Sequence, residues 1–191
     1  MSNRCSIPTL RPRTQEVHKL QIERYRDLEI NTMLLGDSMF EMLKGLASLC
    51  NVGIGGDRTQ HVLWRLDQGL LDEIKVKKII LLIGTNNIQS DTSENICEGI
   101  IAIVNKIKEI NPIINVIVLG ILPRNDRKKT EKMNTRVREV NQYLKLHLSE
   151  FVDHSELFLI GNKVNTLLYE DHVHLNEEGY KIWCQALLEI S

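Results

Sequence analysis

Short apolar runs alternate with longer amphipathic segments along the whole chain. The apolar runs predict strands at about residues 31–36, 48–52, 78–83 and 113–119, with a fifth strand inside 151–160. Apolar residues at helical spacing predict helices within residues 15–29, 39–46, 62–70, 91–111, 133–148 and 176–190. The run at 78–83 is almost wholly apolar, which is typical of a strand covered on both faces.

This alternation predicts a three-layer α/β/α fold with a parallel sheet. No internal repeat or linker divides the chain, so we expect an irregular N-terminal arm over 1–14 and a single domain over 15–191. Polar, glycine-rich residues follow each predicted strand. In open parallel sheets the ligand crevice lies beyond the carboxyl ends of the strands. We therefore expect these strand ends to meet on one rim, at residues 36–38, 53–57, 84–87 and 120–124.

The composition limits the classes of partner that we expect for this protein and indicates the compartment in which it works. The 191 residues include 24 basic and 25 acidic ones, so nothing in the net charge of −1 indicates nucleic acid or an anionic membrane as a partner. The four cysteines are widely spaced and form no C-x-x-C pair, which favours reduced thiols in a cytoplasmic protein over a disulfide framework. The N-terminus lacks the apolar core of a secretory signal. No apolar run reaches the roughly 20 residues of a membrane span.

The turn after the first predicted strand contains the principal candidate for chemistry. Ser38 follows Gly36-Asp37 at the start of a helix, where a serine can cap the helix or act as a nucleophile beside backbone N–H groups. A nucleophile requires a base and a group that orients the base. His174 is the candidate base, and Asp171, three residues earlier, is the candidate orienting group. Asp37 is expected to stabilise the turn instead.

An acyl-transfer site also needs donors for a tetrahedral oxyanion. The strand-end residues offer three of them: the N–H of Ser38, the N–H of Gly56 after the second strand, and the side-chain amide of Asn86 after the third. Each of these residues also has a plain structural role open to it, as a helix cap or a turn residue. Their coincidence on one predicted rim is what favours catalysis.

Two kinds of cofactor site are alternatives to this hypothesis. Asp171, His172 and His174 could ligate a metal if Asp37 or Asp57 supplied a further ligand.

A glycine pattern at 53–56 weakly resembles a dinucleotide fingerprint, but Arg58 occupies the place of the third small residue and the pattern follows the second strand. We therefore predict neither a metal nor a cofactor. His61 is expected to be a packed or surface residue, and Arg58 and Arg124 are expected to be solvated charges at the rim.

Four blocks of sequence follow one another in a fixed order: Gly36-Asp37-Ser38, the glycine after the second strand, Gly84-x-Asn86 and Asp171-x-x-His174. In order and spacing they resemble the blocks of the SGNH (GDSL-type) hydrolases over about residues 15–190. Segments 51–57, 60–66 and 118–124 are similar to one branch of that family, the catalytic subunits of intracellular platelet-activating-factor acetylhydrolases of type I. Asn87 stands where the broad family usually has Asp, as in that branch. Segment 151–169 and the charged loop after Arg124 have no such match, which leaves the substrate open.

The resemblance implies a flavodoxin-like, five-stranded parallel sheet with strand order 2-1-3-4-5. It implies Ser38 as nucleophile, His174 as base and Asp171 as its orienting partner, with Ser38, Gly56 and Asn86 forming the oxyanion hole. It further implies a short-chain acyl ester as substrate, typically an acetyl ester of a phospholipid or a sugar.

The resemblance also implies two protein partners: a second copy of the chain, in a homodimer, and a lissencephaly-associated β-propeller protein. A carbohydrate deacetylase, a small thioesterase and a non-catalytic interaction module that kept the fold stay open as alternatives.

Overall fold

The computed structural model describes residues 3–46 and 48–191 and consists of a parallel sheet between two layers of helices. The helices are α1 (Pro12–Tyr25), α2 (Ser38–Glu41), α3 (Thr59–Asp67), α4 (Leu70–Glu73), α5 (Ser93–Ile110), α6 (Thr130–His147) and α7 (Glu177–Ile190). The strands are β1 (Thr32–Gly36), β2 (Cys50–Asn51), β3 (Lys78–Leu82), β4 (Asn115–Leu119), β5 (Phe151–Val152), β6 (Leu159–Ile160) and β7 (Lys163–Val164).

The main sheet has five strands in the order β2-β1-β3-β4-β5. Every neighbouring pair is parallel, so the predicted fold class and strand order are both confirmed. Because successive side chains of a strand point to opposite faces, each central strand contributes side chains to two hydrophobic cores, one on each face of the sheet. Ile79 and Leu81 of β3 enter the core under α3, α5 and α6, whereas Ile80 and Leu82 enter the core under α2 and α7.

The core under α2 and α7 sets the position of the two helices that flank the candidate site. Trp183 of α7 stacks on Phe40 of α2, with ring centroids 5.5 Å apart and an interplanar angle of 6°. Both rings are fully buried. An aromatic pair of this size stabilises the contact beyond its area alone, by about 0.5–1.5 kcal/mol. The helix that begins at the candidate nucleophile is therefore held rigidly against the C-terminal helix.

Two predicted helices are shorter in the structure than their apolar spacing indicated. Helix α2 ends at Glu41 rather than near 46, and the chain turns at Gly45, whose φ is +91°. Leu43 is nevertheless buried, so the apolar spacing reflects burial without helix. Gly69, with φ +81°, likewise separates α3 from α4 where one helix was predicted. A backbone with positive φ cannot continue a right-handed helix.

The N-terminal arm is more ordered than the irregular segment we expected. Residues Arg4–Ser6 form a short 3-10 helix in which Cys5 is fully buried. Helix α1 begins at Pro12, a residue well suited to the first helical turn, and ends at Tyr25 rather than 29. The division of the chain after residue 14 stays a prediction.

The segment after α6, where a fifth strand was predicted, contains several short elements. Strand β5 comprises only Phe151–Val152, and it is followed by a 3-10 helix at Ser155–Phe158 and the antiparallel hairpin β6–β7. Among the described residues, no helix is long and apolar enough to cross a membrane. The four cysteines are free, and three of them are buried, as expected for structural thiols.

Candidate active site

The turn that presents Ser38 is built by close packing between β1 and β3. Gly36 ends β1, and a Cβ atom there would lie 2.0 Å from the main-chain oxygen of Leu82, so only glycine fits. Asp37 then caps α2 by accepting the N–H of Met39 at 3.0 Å, which confirms its expected role in the turn. Ser38 is the first residue of α2 and is 9% exposed. Its hydroxyl thus sits at the positive end of a helix and within reach of solvent.

Three side chains form a continuous chain of hydrogen bonds at this turn. His174 Nε2 lies 2.8 Å from Ser38 Oγ, and His174 Nδ1 lies 2.8 Å from Asp171 Oδ2. A carboxylate can only accept, so the ring proton belongs on Nδ1, which leaves Nε2 free to accept the Ser38 hydroxyl proton. The structure therefore brings together the three residues that the sequence predicted, from positions 136 residues apart.

Asp171 is held in place by its own loop as well as by His174. Its Oδ1 accepts the backbone N–H groups of Val173 and His174 at 2.7 and 2.8 Å. Partial burial alone would raise the pKa of Asp171, but the hydrogen bonds from the His174 ring and from these two backbone groups lower it to about 2. The carboxylate is therefore ionised at neutral pH and keeps the imidazole in the required tautomer.

The three predicted oxyanion donors lie on the same rim. The glycine loop after β2 rests on α2, since a Cβ built on Gly55 would be 3.7 Å from the Cβ of Ser38. Gly56 adopts φ +80°, a conformation that favours glycine. The side-chain amide of Asn86 donates to the main-chain oxygen of Asp57 at 2.9 Å, which leaves its second N–H for another acceptor. Asn86 is thereby fixed beside the Asp57–Arg58 peptide, next to the glycine loop.

A buried cluster of charges lies beneath this glycine loop, and sequence reasoning missed it. Asp57 is fully buried and accepts the Thr14 hydroxyl at 2.5 Å. Two arginines complete the cluster: Arg65 Nη1 lies 3.7 Å from Asp57 Oδ2, and Arg11 donates to the main-chain oxygen of Gly55 at 2.7 Å. Burial raises the pKa of Asp57 to about 6, and Arg65 opposes that rise. A lone arginine within the apolar stripe of α3 was the available signal, because a buried charge requires a buried partner.

Asn87 connects the strand end after β3 to the N-terminus of α3. Its Oδ1 accepts the N–H of Thr59 at 3.2 Å, while its Nδ2 donates to Asp91 Oδ2 at 3.2 Å and also faces Gln60 and Cys5. Asp91 in turn forms an ion pair with Arg4 of the N-terminal arm. Asn87 thus joins the strand end after β3 to Asp91 and, through Asp91, to the N-terminal arm.

One expected rim charge is instead part of the structure. Arg124 is only 3% exposed, so the prediction of a solvated side chain is wrong. Its Nη1 donates to the main-chain oxygen and the hydroxyl of Thr85 at 3.0 and 2.8 Å, and its other nitrogens pair with Asp126. Arg124 therefore supports the segment that carries Asn86.

His61 is buried and its Nδ1 accepts the N–H of Arg58, as expected for a packed histidine.

The metal alternative finds no support in the geometry. Within residues 3–46 and 48–191, no three His, Cys, Asp or Glu side chains are grouped so that they could hold a metal ion. Asp37 and Asp57, the possible further ligands, are buried; Asp37 accepts the N–H of Met39 and Asp57 accepts the hydroxyl of Thr14 in α1. His172 is exposed, and its main-chain oxygen accepts the N–H of Asn125.

Comparison with known proteins agrees with this fold. The family model described as "GDSL-like Lipase/Acylhydrolase family" matches residues 34–182. The alpha2 subunit of platelet-activating factor acetylhydrolase IB from Rattus norvegicus is 37% identical over 180 residues, covering 86% of this chain and 77% of that protein. The alpha1 subunit from the same organism is 34% identical over 193 residues, with 92% and 81% covered.

A solved structure supports the same grouping. A protein of Streptococcus pneumoniae, described as a putative platelet activating factor, superimposes with a TM-score of 0.79 at 25% identity, covering 93% of this chain and 92% of that one. The five-stranded parallel sheet flanked by helices is the fold of the GDSL/SGNH hydrolases. The chain belongs to the GDSL-like lipase/acylhydrolase family. It is a carboxylic ester hydrolase.

Proposed function

We propose that this protein is a serine esterase that cleaves short-chain esters, chiefly acetyl esters, through an acyl-enzyme. The observation that carries the proposal is the pair of 2.8 Å contacts of the His174 ring, one to Ser38 and one to Asp171. A nucleophile, a base and an orienting carboxylate in this arrangement are the triad by which serine hydrolases transfer acyl groups. A module that had only kept the fold would have no need to maintain these two contacts.

The reaction proceeds in two halves at the same serine. Ser38 Oγ attacks the ester carbonyl while its proton passes to His174 Nε2, and the resulting oxyanion accepts N–H donors from Ser38, Gly56 and Asn86. The tetrahedral intermediate then expels the alcohol, which takes the proton from Nε2, and the acyl group stays on Ser38. Water attacks the acyl-enzyme with His174 again as base, which releases the carboxylic acid and restores Ser38.

Preference for a short acyl group rests on the names of the relatives. Both rat proteins are acetylhydrolase subunits and align over more than three quarters of their own length. We infer that acetyl is the preferred acyl group of this chain as well. In a set of p-nitrophenyl acetate, butyrate and octanoate, kcat/KM should be highest for acetate. An equal or higher kcat/KM for octanoate would overturn the acyl preference while leaving the serine mechanism intact.

The same resemblance leads us to propose a phospholipid-like or sugar acetate as substrate, a homodimer and a β-propeller partner in the cytoplasm. Competition between acetylated lipids and acetylated sugars in the p-nitrophenyl acetate assay distinguishes the two head groups. Sedimentation velocity tests the dimer: a single species near the 22.0 kDa monomer mass at micromolar concentration would count against it.

A further inference from the structure

Two side chains from the start of the chain hold the loop that follows β2. This loop spans residues 53–57 and contains Gly56, whose N–H is one of the three proposed oxyanion donors; we call it the oxyanion loop. The side-chain amide of Gln21 donates to the main-chain oxygen of Gly53 at 3.1 Å, and Nη2 of Arg11 donates to that of Gly55 at 2.7 Å. The bond from Arg11 is the shorter of the two and has a charged donor, which makes it the stronger.

The bond from Arg11 acts on the same peptide unit that contains the proposed donor. The carbonyl of Gly55 and the N–H of Gly56 belong to one planar unit, in which C=O and N–H point in opposite directions. A donor that fixes the carbonyl therefore also fixes the direction of the N–H. Among residues 3–46 and 48–191, no group accepts a hydrogen bond from this N–H, so it is available to a ligand. A cationic donor on the carbonyl also polarises the amide and strengthens its N–H as a donor.

Two further contacts keep the Arg11 guanidinium in place. It packs directly against Gly56, since a Cβ atom built there would lie 2.7 Å from Nη1. Nη1 also lies 3.4 Å from Oδ1 of Asp57, a fully buried carboxylate that accepts the Thr14 hydroxyl as well. The Arg11 side chain is only 26% exposed. The guanidinium is therefore held between the carbonyl of the loop and a buried anion.

A peptide between two glycines needs such support. Glycine adopts positive and negative φ with similar ease, so the Gly55–Gly56 unit meets little steric resistance to turning over. Gly56 has φ +80°, a conformation that favours glycine and disfavours a stiffer residue. In the reversed orientation the carbonyl oxygen of Gly55 would face the developing oxyanion and repel it. The orientation of this peptide is therefore set by Arg11 from outside the loop.

We propose that Arg11 is a positioning residue of the oxyanion hole, which holds the Gly55 carbonyl so that the Gly56 N–H faces the oxyanion; this rests on the proposed function. Arg11 acts through Gly56 and does not contact the ester, because its guanidinium binds the carbonyl side of the peptide and the oxyanion binds the N–H side. The loop lies beside the nucleophile, since a Cβ built on Gly55 would be 3.7 Å from the Cβ of Ser38. A small change in the direction of this peptide therefore weakens transition-state binding at Ser38.

The first test compares Arg11→Met with Arg24→Met in steady-state hydrolysis of p-nitrophenyl acetate. Arg24 is the matched control, because it is an exposed arginine near the other end of α1 and lies over the Tyr25 ring. Complete loss of an oxyanion donor costs about 10²–10³ in kcat, so a misdirected donor should cost about 10–100-fold. We expect this fall in kcat for Arg11→Met, with KM within about threefold of the parent value. Arg24→Met should keep kcat within about twofold. An unchanged kcat in Arg11→Met overturns the proposal.

A transition-state analogue separates positioning from a general loosening of the fold. The Ser38 oxygen adds to the carbonyl carbon of 1,1,1-trifluoroacetone, the serine proton passes to His174, and the carbonyl oxygen becomes an anion in the place of the oxyanion. For Arg11→Met, the Ki of this ketone should therefore rise by about the factor by which kcat/KM falls. A raised KM with an unchanged Ki would show that Arg11 affects substrate binding alone, and overturns the proposal.

Controls at other residues distinguish failure of this inference from failure of the proposed function. If Asn86→Ala lowers kcat while Arg11→Met does not, the positioning role alone is wrong. If neither Ser38→Ala nor Asn86→Ala lowers the rate of hydrolysis, the proposed function is wrong. Amide hydrogen exchange of residues 53–57 then tests the support of the loop without turnover. Arg11→Met should raise the exchange rate at least fivefold and Arg24→Met should not; equal exchange in the parent and Arg11→Met proteins overturns the role of Arg11.

Discussion

Replacing Asp171 by Asn should remove most of the catalytic activity while the loop around residue 171 keeps its conformation. Asp171 Oδ1 accepts the two backbone N–H groups of Val173 and His174, and Oδ2 faces His174 Nδ1 at 2.8 Å. An asparagine can keep its oxygen over the two backbone donors only by turning its NH₂ group towards Nδ1. Nδ1 must then accept, so the ring proton moves to Nε2, which can no longer accept the proton of Ser38.

The expected loss is large because the variant inverts the tautomer of the base. An equivalent change in a serine protease triad lowers kcat by about 10⁴, and we expect a loss of that order here. At ~1.36 kcal/mol per tenfold, this corresponds to about 5 kcal/mol of transition-state stabilisation. KM should change much less, since the carboxylate does not contact the ester.

The assay is the kcat for p-nitrophenyl acetate, measured beside a thermal unfolding curve. Glu170→Gln is the matched control, because it removes the same charge one residue away from an exposed side chain. It should keep kcat within about threefold of the parent value. A folded Asp171→Asn protein that retains more than a tenth of the parent kcat would refute this assignment of the proton positions.

Three further variants test other parts of the site. Asn86→Ala removes one oxyanion donor and should lower kcat by about 10²–10³ with little change in KM, as measured by steady-state kinetics. Asn87→Asp places a second carboxylate beside buried Asp91, and should lower the free energy of unfolding in urea by about 1–3 kcal/mol at pH 8 and by less at pH 5. Burial raises the pKa of Asp37 to about 7, so the folded state holds this proton more tightly than the unfolded state does. Its contribution to stability is therefore complete below about pH 4 and is lost as the pH rises towards 7. Asn caps a helix as well as Asp does. In urea titrations the free energy of unfolding of Asp37→Asn should therefore gain on that of the parent by up to about 1.4 kcal/mol per pH unit across that window. A parent and variant that respond alike to pH would contradict the burial of an ionisable group at that position.

The parts of the fold that sequence predicts well depend on apolar runs with abrupt ends. Strand β3 was expected at 78–83 and spans Lys78–Leu82, because a strand covered on both faces must be apolar throughout. The end of α3 was harder to predict, since it depends on the left-handed conformation of Gly69. A glycine permits that conformation without requiring it.

The residues of the candidate site also differ in how well the sequence predicts them. Ser38 and His174 could be predicted because each stands in a short motif at the end of an element. The burial of Arg124 could not, because its partner Thr85 lies 39 residues away and neither residue has a distinguishing pattern. The contact of Asp57 with Thr14 could not be predicted either, because the two residues are 43 positions apart, whereas the lone Arg65 in the apolar stripe of α3 did indicate a buried partner. Long-range pairing of charges depends on the tertiary fold, which local patterns do not encode.

The most direct test of the central claim is labelling with a fluorophosphonate, followed by peptide mass spectrometry. We predict one adduct per chain, located on Ser38, together with complete loss of activity on p-nitrophenyl acetate. The His174→Ala variant should label at least a hundredfold more slowly, because the serine then lacks its base. An active protein that forms no adduct, or one whose adduct lies on another residue while Ser38→Ala keeps the parent rate, would contradict the account.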